Sequence, residues 1–551
     1  MTNTVHQLAD ELLQLSFRAD PMYASTLGVP GHGRELADRS LAAEESLRAA
    51  VESVAERMTA VDPTGLAADD AVTRAMVIHH AGQVIDDLST HQVEFTVSDL
   101  FVAPAAELIM TLPMLALPTE ESQQDYLARL RAIPAYLETV ADRHRAGVVA
   151  GRVPVERLVR NAMAHLDRYL ADPANDPLAR QEVPAAFAEE REEVLASVVR
   201  PAFAAYKQVL ADELLEHGRS DEKVGVCHLP GGDEIYRTLA RVHTTTDRTP
   251  DDLHQTGLDI IEQLTEEYAE IGSRVFGTRD RAEIFTRMTT DPAMRWRDAD
   301  ELLESAREAV GRAEAAVPDW FGRLASSQCK IEPVPPADAP GAPAAFYVWP
   351  SMDGQRPGIY FANTDRAEER DKFVSEVMAF HEAVPGHHFQ ITIAQELTHL
   401  PMFRRVTNPN AYAEGWGLYT ERLAEEMGLY SGDVYRLGML AMDSMRAGRL
   451  VVDTGMHAKG WTRTQAVGYL RDNTPMSNLD INNEVDRYIA YPGQALSYMV
   501  GRIEIQRIRE AATEALGSRF DIRAFHDVVL GNGSLPLAVL DQVVTAWVAT
   551  S

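Results

Sequence analysis

The sequence has few cysteines, a deficit of basic residues and no long apolar run. Its two cysteines, Cys227 and Cys329, stand far apart among 551 residues, which is typical of a reducing compartment. Acidic residues outnumber basic ones 83 to 52, and the net charge of −31 argues against nucleic acid or an anionic membrane as a partner. No apolar stretch is long enough to span a bilayer, and MTNTVHQLADELLQL lacks the regions of a signal peptide. We therefore expect a cytoplasmic protein, monomeric or homodimeric.

Helical patterning dominates the chain. Apolar residues recur at three- and four-residue spacing in 4–19, 40–61, 121–151 and 249–271. After residue 330, proline and glycine surround two short aromatic segments, AAFYVWP and PGIYFAN, which predict two strands or a hairpin. Helical patterning then returns with AEERDKFVSEVMAFHEAV. The sequence predicts a mainly α fold with one small β-sheet, divided into a helical part (1–330) and a catalytic part (331–551).

The segment FHEAVPGHHFQ is the strongest chemical signal in the chain. The usual zinc motif, H-E-x-x-H, places two histidines on one face of a helix. Here His387 and His388 follow six and seven residues after His381. Pro385 lacks an N–H and clashes with the preceding turn, and Gly386 relaxes the backbone. We therefore expect a kink or bulge in this helix.

A bulge that absorbs the two extra residues would bring His387 to the position of the usual second ligand. A nearly regular helix would instead put His388 on the face of His381. A catalytic zinc ion takes three His or carboxylate ligands and a water. NAYAEGWGLYTERL supplies Glu414 as the third ligand, beside two glycines that would allow close helix packing, with Glu421 as the alternative. We predict one zinc ion per chain, although other divalent transition metals suit these ligands. The alternative is a loop that happens to contain histidines.

Several further side chains are candidates for the catalytic steps. Glu382 is the predicted general base, acting on a metal-bound water. Tyr491 and Tyr498 could donate to the oxyanion of the intermediate, although buried tyrosines commonly just pack. His457, four residues after Asp453, could be a second oxyanion donor or belong to an internal polar network.

Three residues are predicted to bind substrate. Arg487 could hold the C-terminal carboxylate of a peptide, although a structural arginine is the alternative. Asn363 ends the second aromatic segment, where an extended peptide could pair with the hairpin. His388 is assigned to the substrate side if His387 is the metal ligand.

The order of these motifs resembles a known family. HEAVPGHHFQ, AYAEGWGLYTERL, RLVVDTGMHAKGWT and YPGQALSYMVG occur in sequence, and RVHTTTDRTPDDLHQTGL and PSMDGQRPGIYFANT precede them. They resemble the bacterial domain of unknown function 885 family, which is grouped with zincin-like (gluzincin-type) metallopeptidases. The resemblance implies a large two-lobed helical body with a deep cleft, similar to thermostable metallocarboxypeptidases and thimet-type oligopeptidases. Dipeptidyl peptidase III is a partial analogy, since its motif has one inserted residue and still binds zinc.

Together these observations predict a zinc-dependent hydrolase that cleaves peptide or amide bonds in short substrates. One alternative is an amidohydrolase or metal-dependent lyase that acts on a small metabolite. Another is a binding protein without catalytic activity.

Overall fold

The protein is mainly helical with one small sheet, as the sequence predicts. The computed structural model describes residues 2–336, 339, 342–354 and 356–551. The helices before the sheet are α1 (Thr2–Ala19), α2 (Pro21–Thr26), α3 (Leu41–Thr59), α4 (Ala68–Ser89), α5 (Pro104–Thr111), α6 (Glu120–Ala150), α7 (Glu156–Ala171), α8 (Ala185–Val194), α9 (Arg200–Val209), α10 (Gly232–Thr244), α11 (Pro250–Phe276), α12 (Arg281–Thr290) and α13 (Ala299–Trp320). Those after it are α14 (Ser375–Glu382), α15 (His387–Glu396), α16 (Met402–Val406), α17 (Asn410–Glu426), α18 (Asp433–His457), α19 (Arg463–Asn473), α20 (Asn478–Ala490), α21 (Leu496–Leu516), α22 (Ile522–Leu530) and α23 (Leu537–Thr550).

The four long helices predicted from periodicity are present as α1, α3, α6 and α11. Helix α11 illustrates how the sequence sets its own limits. Thr249 caps its first turn, its hydroxyl accepting from the N–H of Asp252 at 3.2 Å, and proline follows at the first helical position. Gly277 ends the helix at φ 74°, a left-handed conformation that glycine adopts without strain.

The sheet consists of β1 (Lys330–Pro333), β2 (Ala345–Val348) and β3 (Ile359–Ala362), in the order β1-β3-β2. The predicted hairpin is confirmed, because β2 and β3 pair antiparallel with Tyr347 opposite Tyr360. Gln355, in the connection between them, lies outside the described residues. Strand β1 was not predicted. It is short and proline-flanked, and its partner β3 lies far along the chain, so periodicity carries no signal for it.

The apolar core crosses residue 330. One buried cluster includes residues from Val5 to Val544, and a second lies mostly within 97–214. Helix α11 packs closely along α18, where a Cβ on Gly257 would lie 2.7 Å from the side chain of Val451. The division at residue 330 is therefore not marked by a break in the core, and it stays a prediction.

Helix α18 is buried along most of its length and carries a row of charged side chains into the interior. Charges this deep are costly unless they are paired. The buried charged residues of α18 are Asp443, Arg446, Arg449 and Asp453. They therefore need partners from neighbouring elements. Among the described helices, none is both long and apolar enough to cross a bilayer. Cys227 and Cys329 are free thiols.

Candidate metal centre

The helix that carries His381 does not bulge but stops. Helix α14 ends at Glu382 and α15 begins at His387, so the chain leaves the helical path for four residues. Gly386 allows the chain to fold back, since a Cβ there would lie 1.8 Å from the carbonyl oxygen of His381. The indole N–H of Trp416 donates to the carbonyl of Pro385 at 2.9 Å and fixes the break against α17. The expected kink is thus a complete break, which turns His387 toward His381.

His381, His387 and Glu414 come together at this break. The Oε2 atom of Glu414 lies 3.6 Å from Nε2 of His381 and 3.4 Å from Nε2 of His387. All three possible ligand atoms lie within 4.8 Å of one another. A tetrahedral zinc ion with ligand bonds of about 2.0–2.2 Å would hold its ligand atoms about 3.3–3.6 Å apart. The two distances from Glu414 to the histidines therefore match the spacing around a zinc ion.

A second carboxylate stands behind His381. Glu421 Oε1 lies 2.8 Å from Nδ1 of His381, on the side of the ring away from Glu414. A metal-binding histidine commonly donates its other N–H to such a carboxylate, which fixes the ring and its tautomer. Glu421, the alternative third ligand in the sequence, therefore supports His381 instead of joining the three clustered donors.

Glycines on α17 make room for this arrangement. A Cβ on Gly417 would lie 2.5 Å from Cε1 of His381, so the imidazole rests directly on the helix backbone. Gly415 faces elsewhere, since its Cβ would lie 2.4 Å from Cα of Gly501 on α21. Gly417 therefore meets the expectation of close packing against α14, and Gly415 allows the close contact between α17 and α21.

Electrostatic contacts within this cluster shift the pKa values of His381 and Glu414. Burial works against a charged His381, but its contacts with Glu414 and Glu421 outweigh burial and raise the pKa of His381 to about 9. Burial likewise opposes a charged Glu414, yet His381 and His387 lower the pKa of Glu414 well below its usual range. A metal that binds here takes the place of a proton between these residues.

Glu382 adjoins the cluster without being tied to it. Its carboxylate accepts no hydrogen bond from the other described residues, and the charges of His381, His387 and Glu414 all act on it. Burial is the largest influence and raises the pKa of Glu382 above its usual value. The carboxylate is therefore available to take or give a proton next to the three clustered donors.

The structure separates His388 from the cluster. Its Nδ1 lies 2.9 Å from the hydroxyl of Tyr347 on β2, and its Nε2 lies 2.9 Å from the carbonyl oxygen of Ser327. With both ring nitrogens occupied, His388 anchors α15 to the sheet.

Asn363 is not placed for the substrate-binding role suggested by the sequence. Its side-chain N–H groups donate to the carbonyls of Ala339 and Ala342 at 2.7 and 3.0 Å, and its oxygen accepts from the N–H of Asp365 at 3.1 Å. The residue is fully buried. Its amide holds the loop beside the hairpin, so we correct the prediction that it contacts substrate.

His457 is also structural, which favours the internal network over the predicted oxyanion donor, and Asp453 is not among its partners. Its Nδ1 accepts from the N–H of Val226 at 3.1 Å, and its Nε2 lies 3.0 Å from the carbonyl of Tyr488. Asp453 instead accepts from the hydroxyl of Tyr236 at 2.6 Å. Helix spacing puts both side chains on one face of α18, but their partners come from other elements.

Arg487 belongs to an internal ion-pair network. Its Nη2 lies 3.1 Å from Glu484 Oε2, and its Nη1 donates to Gln494 at 2.8 Å. Glu484 also binds Arg449 at 2.8 Å. Both terminal nitrogens of Arg487 are therefore occupied, which weakens its assignment as a carboxylate binder.

The two candidate tyrosines lie in different surroundings. Tyr491 packs edge-on against Phe101 and His243, with ring centroids 6.2 and 5.0 Å apart. Tyr498 lies under the guanidinium of Arg449, 4.4 Å from the ring centroid. Burial, followed by the charge of Glu414, raises the pKa of Tyr498. Of the two tyrosines, Tyr498 is therefore the one on which the charge of Glu414 acts.

Two residues near the cluster escaped the sequence analysis. Trp416 holds the helix break, and Arg446 lies 3.7 Å from Oε1 of Glu421. Arg446 precedes Arg449 by three residues, so helical spacing could have placed it on the same face of α18.

The comparisons with known proteins agree with the helical fold. The family described as "Bacterial protein of unknown function (DUF885)" matches residues 21–544. The crystal structure of a "putative lipoprotein" from Colwellia psychrerythraea is similar over 100% of both chains, with 27% identity and a TM-score of 0.91. The structure of a "putative lipoprotein of unknown function" from Shewanella oneidensis covers 98% of this chain and 99% of its own, with 17% identity and a TM-score of 0.75. The second likeness concerns the fold alone. No curated protein matches the sequence.

Proposed function

The chain belongs to this bacterial family of unknown function, and we propose that it is a metal-dependent hydrolase that cleaves peptide or amide bonds in short substrates. Zinc is the proposed metal, held by His381, His387 and Glu414. The relation to zincin-like metallopeptidases, with a two-lobed body and a cleft, belongs to this proposal. It is supported by a His-Glu pair that ends one helix and a third donor that comes from a later helix.

The spacing of the three donor atoms carries the proposal. Glu414 Oε2 lies 3.6 and 3.4 Å from the Nε2 atoms of the two histidines, close to the separation around a tetrahedral zinc ion. Glu421 adds support, because it is fully buried and accepts from the remaining nitrogen of His381. A chance cluster of surface acidic residues has no such buried carboxylate behind a histidine. A bound zinc ion would activate a water and polarise the scissile carbonyl.

Glu382 is the proposed general base and acid. Glu382 follows His381 directly and is the last residue of α14. No further turn of that helix packs over its carboxylate. Because no other described residue donates to it, it can accept a proton from the attacking water and return it to the leaving amine. Partial burial favours the protonated form that the second step needs.

Tyr498 is the proposed donor to the developing oxyanion. The guanidinium of Arg449 holds its ring, and the charge of Glu414 acts on its hydroxyl. A neutral hydroxyl fixed by packing is a suitable donor for an oxyanion. Tyr491 packs into an aromatic contact with His243, and this favours Tyr498 of the two.

We propose the cytoplasm as the compartment, which suits the two free thiols. Cell fractionation followed by immunoblotting tests this part. Recovery in the membrane or envelope fraction would contradict it.

The test of the reaction is Glu382→Gln, in zinc-loaded protein assayed on a panel of dipeptides and tripeptides. Gln keeps the shape of Glu but cannot accept the proton, so we expect the rate to fall by about 10²- to 10⁴-fold. Zinc content should stay at the wild-type level. Glu396→Gln, at the exposed end of α15, is the matched control and should keep the wild-type rate. An unchanged rate in Glu382→Gln would remove the residue from the chemistry.

A further inference from the structure

Two arginines beside the proposed metal position carry N–H groups without partners. Arg446 and Arg449 on α18 are 4% and 5% exposed. Among the described residues, no hydrogen-bond acceptor faces Nε and Nη1 of Arg446 or Nη1 of Arg449. A buried N–H group without an acceptor is costly, so native structures usually satisfy it with protein, water or a ligand. Three such groups on neighbouring guanidiniums leave this pair able to bind an acceptor from outside the chain.

Arg446 and Arg449 share their carboxylate partners with other cationic side chains. Arg446 faces Glu421 at 3.7 Å, and Arg449 and Arg487 share the single carboxylate of Glu484. Asp443, which also interacts with Arg446, is itself shared by Arg422 and Arg502. Arg449 and Arg487 therefore bring two positive charges to one carboxylate, and the carboxylate nearest Arg446 is also bound to His381. A buried excess of positive charge favours an anionic ligand over water.

The arginine pair connects directly to the metal cluster. Glu421 lies between Arg446 and His381, 3.7 and 2.8 Å from them. The Tyr498 ring lies under both guanidiniums, at 6.0 and 4.4 Å. Tyr498 is partly exposed, whereas the guanidinium nitrogens are shielded. A ligand would therefore approach them beside the Tyr498 ring.

We propose that Arg446 and Arg449 bind a carboxylate of the substrate. The substrate class would then be short peptides or amides with a free carboxylate next to the scissile bond. This inference rests on the proposed hydrolase function. It replaces Arg487 as the anchor, because both terminal nitrogens of Arg487 are bound within the protein.

Binding to the metal-free protein tests the carboxylate subsite without any catalysis. The probes are N-acetyl-Ala-Ala and its C-terminal amide, with sodium acetate and sodium chloride as separate arms, titrated into chelator-treated full-length protein by calorimetry. A charge-assisted contact should make the free carboxylate bind at least about tenfold more tightly than the amide. Equal binding of the two peptides, or no binding of either, would overturn the proposal. Acetate or chloride binding as tightly as the peptide would assign the arginines to a free anion and overturn it as well.

Lysine substitutions locate the effect. Arg446→Lys and Arg449→Lys keep the charge but lose the guanidinium fork, so we expect most of the preference for the carboxylate to disappear. Arg436→Lys is the matched control on the same helix, because Arg436 pairs with Glu425 and Asp433 away from the cluster. It should keep the wild-type preference. The wild-type comparison of the two peptides decides the question even if a variant fails to fold.

Hydrolysis of the same peptides by zinc-loaded protein separates the two proposals. Preferential binding of the carboxylate peptide without any cleavage would leave the subsite standing and refute the hydrolase. Equal binding and equal cleavage of both peptides would leave the hydrolase standing and refute the subsite.

Discussion

Gly417→Ala should weaken metal binding while leaving the fold in place. A Cβ on Gly417 would lie 2.5, 2.8 and 2.9 Å from Cε1, Nδ1 and Nε2 of His381. Ordinary contacts of this kind begin near 3.4 Å, so the ring must move by most of an ångström. Its position is set by Glu421 on one side and Glu414 on the other. Both contacts would be disturbed together.

The expected loss follows from how closely metal ligands must be held. Disturbing the groups that orient a ligand typically costs about 10- to 100-fold in metal affinity. We expect a loss of this size in Gly417→Ala, equivalent to about 1.4–2.8 kcal/mol. Alanine also favours a helix over glycine by about 0.5–1 kcal/mol. Thermal stability of the metal-free protein should therefore change less than metal affinity does.

Competition with a chromophoric chelator measures the zinc affinity. Gly468→Ala is the matched control, because the nearest atom to its added Cβ is the flexible end of Arg471 at 3.7 Å. It should bind zinc like the wild type. Wild-type zinc affinity in Gly417→Ala would refute the placement of His381 against α17. Equal losses in both variants would point to a general effect of the substitution on helices.

Two further substitutions test the support of the cluster and the buried row on α18. Glu421→Gln removes the charge behind His381 and should weaken zinc binding by about tenfold or more in the same competition assay, whereas Glu425→Gln on the same helix should not. Asp453→Asn tests a pH dependence of stability. Burial raises the pKa of the Asp453 carboxyl to about 7. The folded protein therefore keeps the carboxyl proton to higher pH than the unfolded chain, whose aspartates titrate near about 4. The contribution of Asp453 to the free energy of unfolding is therefore greatest at low pH and is lost as the pH rises from about 4 to about 7. Urea denaturation across that range should show a smaller fall in Asp453→Asn than in the wild type, and identical slopes would contradict the assignment.

Local patterns were sufficient for the larger elements. The periodicity of α1, α3, α6 and α11 reflects burial of one helical face, which the sequence records directly. The hairpin of β2 and β3 joins segments that are close in the chain. Pro385 and Gly386 likewise predicted a disturbance where α14 ends, because their backbone constraints act locally.

Partners from distant elements could not be read from spacing. His387 and His388 differ by one position, and the choice between them depends on how the chain leaves α14 and enters α15. Glu414 and Glu421 lie on the same helix, and only the packing of α17 on α14 determines which ring nitrogen of His381 each carboxylate contacts. His457 illustrates the same limit, since its ring nitrogens bind the backbone of Val226 and Tyr488 and not the aspartate four residues earlier.

The metal content of the purified protein tests the central claim most directly. Elemental analysis should be made on wild type and on His381→Ala, His387→Ala and His388→Ala, each purified without chelators and supplied with zinc. We predict about one zinc per chain in the wild type, lost with His381 or His387 and retained with His388, whose ring nitrogens are bound to Tyr347 and Ser327. Wild-type protein that takes up no zinc or other divalent transition metal would contradict the account.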